Sequence, residues 1–347
     1  MGSVKDLSVL KKQKERRAGV GRFVFLDRYS VFDWGEMPDH LPNKGTSLCL
    51  IGAYCFEEAE KKRIKTHYRG LVKNGGKTVK LNEIEKPTNK MEVDLVRVIR
   101  PKFEKGKYDY SVYSKDLTNF LIPLEVIYRN GLPEGSSVFK RLEKGQTTYQ
   151  DFGLDHYPKP GEKLKKPIFD LSTKLEEEDR YITWQEAAEM ARLSNKEADE
   201  IKKFLSAVNS LITRVAARAD LVNEDGKMEL AYDSDRKLVL VDVVGTLDEC
   251  RFTYDGLSVS KEIARQYYKK TPWYADVQEA KKKAAEQGVQ DWKKLCKSKP
   301  RKLPPRLKQI IADMYASTAN AFLGRDLFDS PKLKDVIRSY KDWAESK

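Results

Sequence analysis

Apolar residues recur along this chain with two different periods, and the change from one to the other marks out its elements. Residues 22–26 (R-F-V-F-L), 47–55 and 93–99 (V-D-L-V-R-V-I) are short apolar runs that read as strands. The second of them, broken by Gly52, also reads as the start of a buried helix. Residues 57–68 form a charged connector of helical character, Asn74-Gly75-Gly76 signals a turn, and the apolar run 119–128 suits a hinge between two lobes. Residues 145–170 hold Gly145, Gly153, Pro158, Pro160, Gly161 and Pro167 and read as loop. The period then becomes helical. Thr183 and Ser194, each followed three residues later by Glu, match the capping-box pattern. Ile201, Phe204, Leu205, Val208, Leu211, Ile212 and Val215 make one continuous apolar stripe, which is core. Beyond Trp273 the chain is helical and Lys-rich. Pro304-Pro305 opens a helix through Leu307, Ile310, Ile311, Met314 and Tyr315 that ends near Gly324, and Ser330-Pro331 opens a last one. These C-terminal helices read as packing.

Residues 227–251 interrupt this order with two apolar runs, 228–232 and 237–243, joined by Asp233-Ser234-Asp235-Arg236. If Asp233 and Arg236 pair across a two-residue turn, Glu229 lies opposite Leu240 and shares a face with Asp242. Two carboxylates on one face are close enough to share a metal ion. A turn of odd length would put them on opposite faces, and the pattern by itself favours a solvated Glu229 and an Asp242 that caps the next loop.

Composition narrows the classes. The chain has 347 residues, 40% apolar and 34% charged, enough for two or three domains of soluble globular type. No apolar run approaches the ~20 residues a membrane span needs. The start of the chain lacks an apolar signal core, so a cytoplasmic protein is expected. Four cysteines without C-x-x-C spacing and three histidines leave little material for zinc sites or Ser/His/Asp triads. The formal net charge of +13 calls for anionic partners, nucleic acid or small anions in a basic cleft. No RNP-like box or basic arm favours nucleic acid. Neither a Walker A motif nor G-x-G-x-x-G is present.

Three further stretches carry polar residues that a simple loop would not need: Asp27-Arg28-Tyr29-Ser30-Val31-Phe32-Asp33, the run Pro123 to Arg129 leading into Gly135-Ser136, and Pro167-Ile168-Phe169-Asp170-Leu171-Ser172-Thr173-Lys174 ahead of Asp179. Arg129, Ser136 and Arg251 suit a phosphate or carboxylate, since guanidinium binds both bidentately.

At these residues the sequence resembles the SAICAR synthetase family (phosphoribosylaminoimidazole-succinocarboxamide synthases). The opening Gly2-Ser3-Val4-Lys5-Asp6-Leu7, the D-R-x-S-x-F-D segment 27–33, Asn43-Lys44-Gly45, P-L-E-x-x-x-R-N…G-S over 123–136, P-I-x-x-x-S-T-K over 167–174, Glu229…Asp242…T-L-D-E-C-R over 246–251, and Ser260-Lys261-Glu262-Ile263-Ala264-Arg265 occur in the family's order. The resemblance implies an α+β, ATP-grasp-like fold with a strand-rich N-terminal lobe (1–121), a mixed catalytic lobe (122–275) and a C-terminal helical extension (276–347). It implies a cytoplasmic ligase that joins carboxyaminoimidazole ribotide (CAIR) to L-aspartate with cleavage of ATP to ADP and phosphate, using Mg²⁺. By position, Glu229 and Asp242 would hold Mg²⁺, and Lys5 and Lys44 would contact the nucleotide. Arg28, Ser30, Asp33, Arg129, Ser136, Arg251, Lys261 and Arg265 would bind substrate, and Lys174, Asp179 and Asp248 would serve catalysis.

Ser3 stands where the family usually has lysine, and Asp242-Val243 replaces a common D-E. The extra length at 81–107 and after Trp273 leaves scope for homo-oligomerisation or added stability. The rival readings are a related ATP-grasp ligase or kinase, which would not need Arg129, Ser136 and Arg251 together, and a catalytically inert RNA-binding protein, which would not need the metal pair.

Overall fold

The computed structural model describes residues 4–104, 106–177, 179–259, 261–289 and 291–346. Gly2 and Ser3 of the opening motif, and Ser260, lie outside them. An antiparallel sheet builds the N-terminal lobe from β1 (Lys5–Lys11), β2 (Gly19–Phe25), β3 (Tyr68–Val72), β4 (Thr78–Val79) and β5 (Lys90–Leu95), in the order β1-β2-β5-β3-β4. Helix α1 (Lys44–Lys61) packs on it with Leu48, Cys49, Leu50, Ile51, Cys55 and Phe56 all buried. The run 47–55 is therefore helix and not strand. It carries apolar residues on every side because sheet and helices enclose it, which erases the amphipathic period. A short ribbon, β6 (Lys102–Glu104) with β7 (Lys107–Asp109), precedes the second sheet.

That sheet has the order β10-β9-β8-β11-β13-β14 with β12 on β11. Its strands are β8 (Phe120–Leu132), β9 (Glu162–Thr173), β10 (Tyr181–Ile182), β11 (Val222–Tyr232), β12 (Leu238–Val241), β13 (Cys250–Tyr254) and β14 (Leu257–Ser258). The 119–128 run is thus the start of the central strand β8 and not a hinge, and the loop expected over 145–170 gives way to strand at Glu162. Successive side chains of a strand point to opposite faces. One face of this sheet presents Leu124, Val126, Tyr128, Leu171, Met228, Leu230 and Phe252 to the core. Helix α2 (Ser137–Glu143) follows β8, and α3 (Trp184–Ala191) and α4 (Asn195–Ala217) follow β10. On α4, Ile201, Leu205, Val208, Leu211, Ile212 and Val215 are buried as the stripe requires. Ser194 and Glu197 close a full capping box there, while Thr183 caps α3 through the Glu186 amide.

Helices α5 (Glu262–Lys269), α6 (Pro272–Gln287), α7 (Pro305–Leu323) and α8 (Leu333–Glu345) complete the chain. The last begins two residues later than Ser330-Pro331 suggests, because Ser330 instead receives a hydrogen bond from Asn320. No helix among the described residues is long and apolar enough to cross a membrane. The two sheets meet where β12 bridges to the segment before β3: Thr66 pairs with Leu240, Leu240 N donates to Lys65 O (2.9 Å) and His67 N donates to Leu240 O (3.0 Å).

The β11–β12 turn departs from the two-residue expectation. Asp233 pairs with Lys237 around a loop of odd length, and Glu229 faces Val241. The cause is local: Asp233 Oδ1 accepts from the amides of Asp235 and Lys237 (both 2.8 Å), and Arg236 adopts φ 53°.

Gly245 sits in the loop after β12 with φ +73°, and a Cβ there would lie 2.4 Å from Cys55 Sγ. Gly245→Ala is therefore expected to lower stability by about 2–4 kcal/mol, combining left-handed strain and overpacking. Urea unfolding with an unchanged m-value would report it; a midpoint equal to wild type would contradict it.

Candidate active site

The face of the second sheet that turns away from the core carries the chemistry. Register places Glu125, Ile127 and Arg129 of β8 opposite Glu229, Lys227 and Asp225 of β11, with Ser172 and Asp170 of β9 on one flank and Arg251 of β13 on the other. Farther along the same face come Leu121, Ala231, Val239 and Val241, a small apolar cluster joined by Leu175 and by Val96 from the N-terminal lobe. From Asp225 to Ala231 the face runs about 20 Å at the usual strand rise. A cleft of about 480 Å³ opens over its charged part and is closed by residues from three other regions: Phe32 and Asp33, the loop 247–249, and Lys261, Arg265, Lys269, Tyr274 and Lys281.

At the arginine end, Arg129 is almost wholly buried. Its Nη2 donates to Asp170 Oδ2 (3.0 Å) and Ser137 Oγ (3.1 Å), and its Nη1 lies 3.3 Å from Asp225 Oδ2. Asp225 also receives Arg251 through Nε (2.8 Å) and Nη2, and Arg141 Nη1 donates to Asp170 (2.5 Å). Two buried carboxylates thus fix three guanidinium groups, which keeps a cationic wall in place without losing its forks to solvent. Ser137, not Ser136, reaches the cleft. Ser136 Oγ is buried without a partner, and the two adjacent serines cannot be told apart by sequence spacing.

In the middle, Glu125, Glu229 and Asp242 cluster beside the lobe junction. Although Glu229 and Asp242 do not alternate onto one face, Asp242 adopts φ 65° directly after β12, which turns its carboxylate back toward Glu229. His67 Nε2 lies 3.1 Å from Asp242 O. Burial lowers the pKa of His67 to about 4, so the ring is neutral, and the nitrogen facing a carbonyl must be the N–H donor. Lysines answer the carboxylates: Lys5 of β1 on Asp242 (2.7 Å), Lys174 on Glu229 (2.7 Å) and Glu125 (2.9 Å), Lys227 on Glu125 (2.9 Å). Burial and the adjacent Asp242 raise Glu229 to about 7, with Lys174 opposing. For Asp242, burial pushes upward, and Lys5 outweighs it and holds the group below its ordinary value. Glu125 is held down likewise by Lys227 and Lys174 against burial. Among the described residues no three His, Cys, Asp or Glu groups form a metal cluster. Two buried carboxylates do match a magnesium site that takes its remaining ligands from phosphate and water.

Asp248 faces the cleft at its far side. Burial resists its ionisation, but Lys44 and Lys261 hold it well below the usual carboxylate range. Lys44 is fully buried, with Nζ donating to Asp248 Oδ2 (2.7 Å), so it supports Asp248 from behind instead of entering the cleft. The Asn43-Lys44-Gly45 motif explains this placement: a Cβ on residue 45 would lie 2.7 Å from the Leu26 backbone, so glycine lets α1 abut the end of β2. Arg28 and Ser30 are not brought into the cleft either. Arg28 pairs with Asp6 of β1 (2.8 Å), which ties its loop to the first strand, and Ser30 accepts from Gly35 N (3.3 Å) within the loop. Asp33 lines the cleft mouth, paired with Lys281 (2.6 Å). Asp179 also lines it. It is solvent-exposed at its edge, yet partial desolvation and nearby Glu125 raise its pKa.

Sequence reasoning missed Glu125, Asp170, Asp225 and Lys227 as members of the site. Their signal was the alternation of charged with apolar residues along β8, β9 and β11, which becomes visible only when the register aligns them.

Comparison with known proteins adds a second line of support. Residues 11–286 match the family model described as SAICAR synthetase. A protein of Archaeoglobus fulgidus is 47% identical over 99% of this chain and all of its own length; its assignment as a phosphoribosylaminoimidazole-succinocarboxamide synthase is itself provisional. Among solved structures, a SAICAR synthetase in complex with ADP aligns with TM-score 0.56 at 22% identity, covering 87% of this chain and 99% of that one. The Saccharomyces cerevisiae SAICAR synthase complexed with SAICAR aligns with TM-score 0.61 at 19% identity, covering 93% of each.

Asp225→Asn is expected to cost about 3 kcal/mol of stability, because it leaves buried Arg129 with half its counter-charge and Arg251 with none. Chemical denaturation would measure the loss, and a change below a few tenths of a kcal/mol would show that Asp225 does not anchor the wall.

Proposed function

The chain belongs to the SAICAR synthetase family, and on that premise we propose how its single charged sheet face carries out the ligation of CAIR to L-aspartate with ATP as the driving substrate. The fold is the ATP-grasp-like α+β type of its structural neighbours. The observation that carries the proposal is the order of three environments along one face: an apolar patch, a carboxylate pair neutralised by lysines, and a wall of fixed guanidinium groups. We assign the adenine base to the lobe junction beside the buried cluster of Leu121, Ala231, Val239 and Val241. Its phosphates then fall near Glu229 and Asp242, and the anionic ribotide near Arg129, Arg251, Lys261 and Arg265.

A carboxylate is a poor acyl donor, so its phosphorylation by ATP supplies a leaving group that the amine of aspartate displaces. Glu229 and Asp242 would hold Mg²⁺, which neutralises charge on the transferring phosphoryl group when bound. Lys5 and Lys174 already bring ammonium groups to that point. Fixed cations cost no reorganisation when charge shifts toward the ADP oxygen. Asp248, held ionised, is a weak base and a strong hydrogen-bond acceptor, which suits it to orient a substrate N–H. Asp179, with its raised pKa, suits it better to accept a proton from the aspartate ammonium.

The test is ADP release with ATP, CAIR and L-aspartate, each omitted in turn. Release that requires all three is expected; turnover indifferent to CAIR or to aspartate would sink the assignment. In the same assay Glu229→Gln and Asp242→Asn should each cut kcat by about 10²-fold or more with the fold retained, whereas near-wild-type rates would refute their role at the phosphates.

A further inference from the structure

The C-terminal helices read from sequence as packing, and the family model ends at residue 286, ahead of α7. Yet α7 reaches the cleft wall. Tyr315 on its inner face donates its hydroxyl to Asp248 Oδ1 at 2.6 Å, while Lys44 takes the other oxygen at 2.7 Å. Tyr315 is 1% exposed and Lys44 not at all, so neither touches substrate. The Lys44 ammonium also lies 5.4 Å from the Tyr315 ring centroid. We propose that Tyr315 is a positioning residue for the ligation: with Lys44 it fixes the Asp248 carboxylate so that one lone pair of each oxygen stays directed into the cleft.

The geometry gives this more weight than packing alone requires. An ionised carboxylate accepts at about four sites, and a single partner would leave its plane free to rotate. Two partners on different oxygens, from α1 and from α7, set the plane. α7 is itself held on both lobes, by Phe322 against Phe252 of β13 (5.5 Å, edge-to-face) and by Arg325, at the end of the helix, donating to Leu81 O and Ile84 O. Burial keeps the Tyr315 phenol protonated, so it remains a donor throughout the working pH range. The charges that face Asp248 are Lys44 from α1 and Lys261 at the start of α5, with Arg265 one turn on and Glu249 beside it in the loop.

The inference rests on the ligase reading, and the experiment separates the two. Kinetics with all three substrates would be measured for wild type, Tyr315→Phe, Asp248→Asn and the double variant. Tyr315→Phe keeps the ring and its packing and removes only the hydroxyl. It should melt within a few degrees of wild type and lose about tenfold in kcat with little change in KM for ATP. In the Asp248→Asn background, adding Tyr315→Phe should cause no further loss, because its effect passes through Asp248. Wild-type kcat in Tyr315→Phe, or losses that multiply in the double variant, would overturn the proposal. Wild-type turnover that ignored CAIR or aspartate would instead remove the ligase reading itself.

Discussion

Like charges buried at the junction of two lobes are the constraint on which this structure turns. Glu125 is buried and Glu229 and Asp242 are half-buried beside it, and desolvation alone would raise the pKa of each. Lys5, Lys174 and Lys227 offset that cost, and they come from three different segments: the first strand, the end of β9 and the middle of β11. The N-terminal lobe is thus tied electrostatically to the second sheet at the point where we place the phosphates of ATP. Glu229 is the least settled of the three, poised near neutrality by burial and by Asp242. A divalent ion bound between the two would remove the repulsion that raises it.

The way Asp242 arrives there shows how much of the site was legible in the sequence. Strand β2, the stripe on α4 and the helix from Pro305 to Gly324 follow from their periods and end signals, whereas the run 93–99 is strand only as far as Leu95, at the end of β5. The hairpin did not yield to the same reasoning. Its loop is one residue longer than the two-residue turn, since the Asp233 side chain captures two loop amides, and alternation would then separate Glu229 from Asp242. A single left-handed residue, held by His67 and by the Thr66–Leu240 bridge, brings them back together. No local pattern encodes that, because its cause lies more than 170 positions away in the chain. The ordered motifs nominated the pair without supplying its geometry.

The same motifs overstated direct contact. Lys44 and Arg28 stand at positions that suggest ligand binding, yet Lys44 sits beneath Asp248 and Arg28 pairs with Asp6 of β1. Conversely, Asp170 and Asp225, which fix Arg129, Arg141 and Arg251, were not singled out by any motif. Arginine at a motif position announces anion binding; the buried acids that keep the guanidinium groups rigid become visible only in three dimensions. With Tyr315 this makes a consistent picture, in which groups that face substrate are aimed by buried partners from distant segments.

The central claim is that Glu229 and Asp242 form one cation-dependent phosphate site at the lobe junction. Calorimetric titration of ADP with and without Mg²⁺, in the wild type and in Asp242→Asn, tests it most directly. The account predicts that Mg²⁺ tightens ADP binding by about tenfold or more in the wild type, and that Asp242→Asn abolishes this gain while metal-free binding survives. A variant that kept the full magnesium dependence would contradict it.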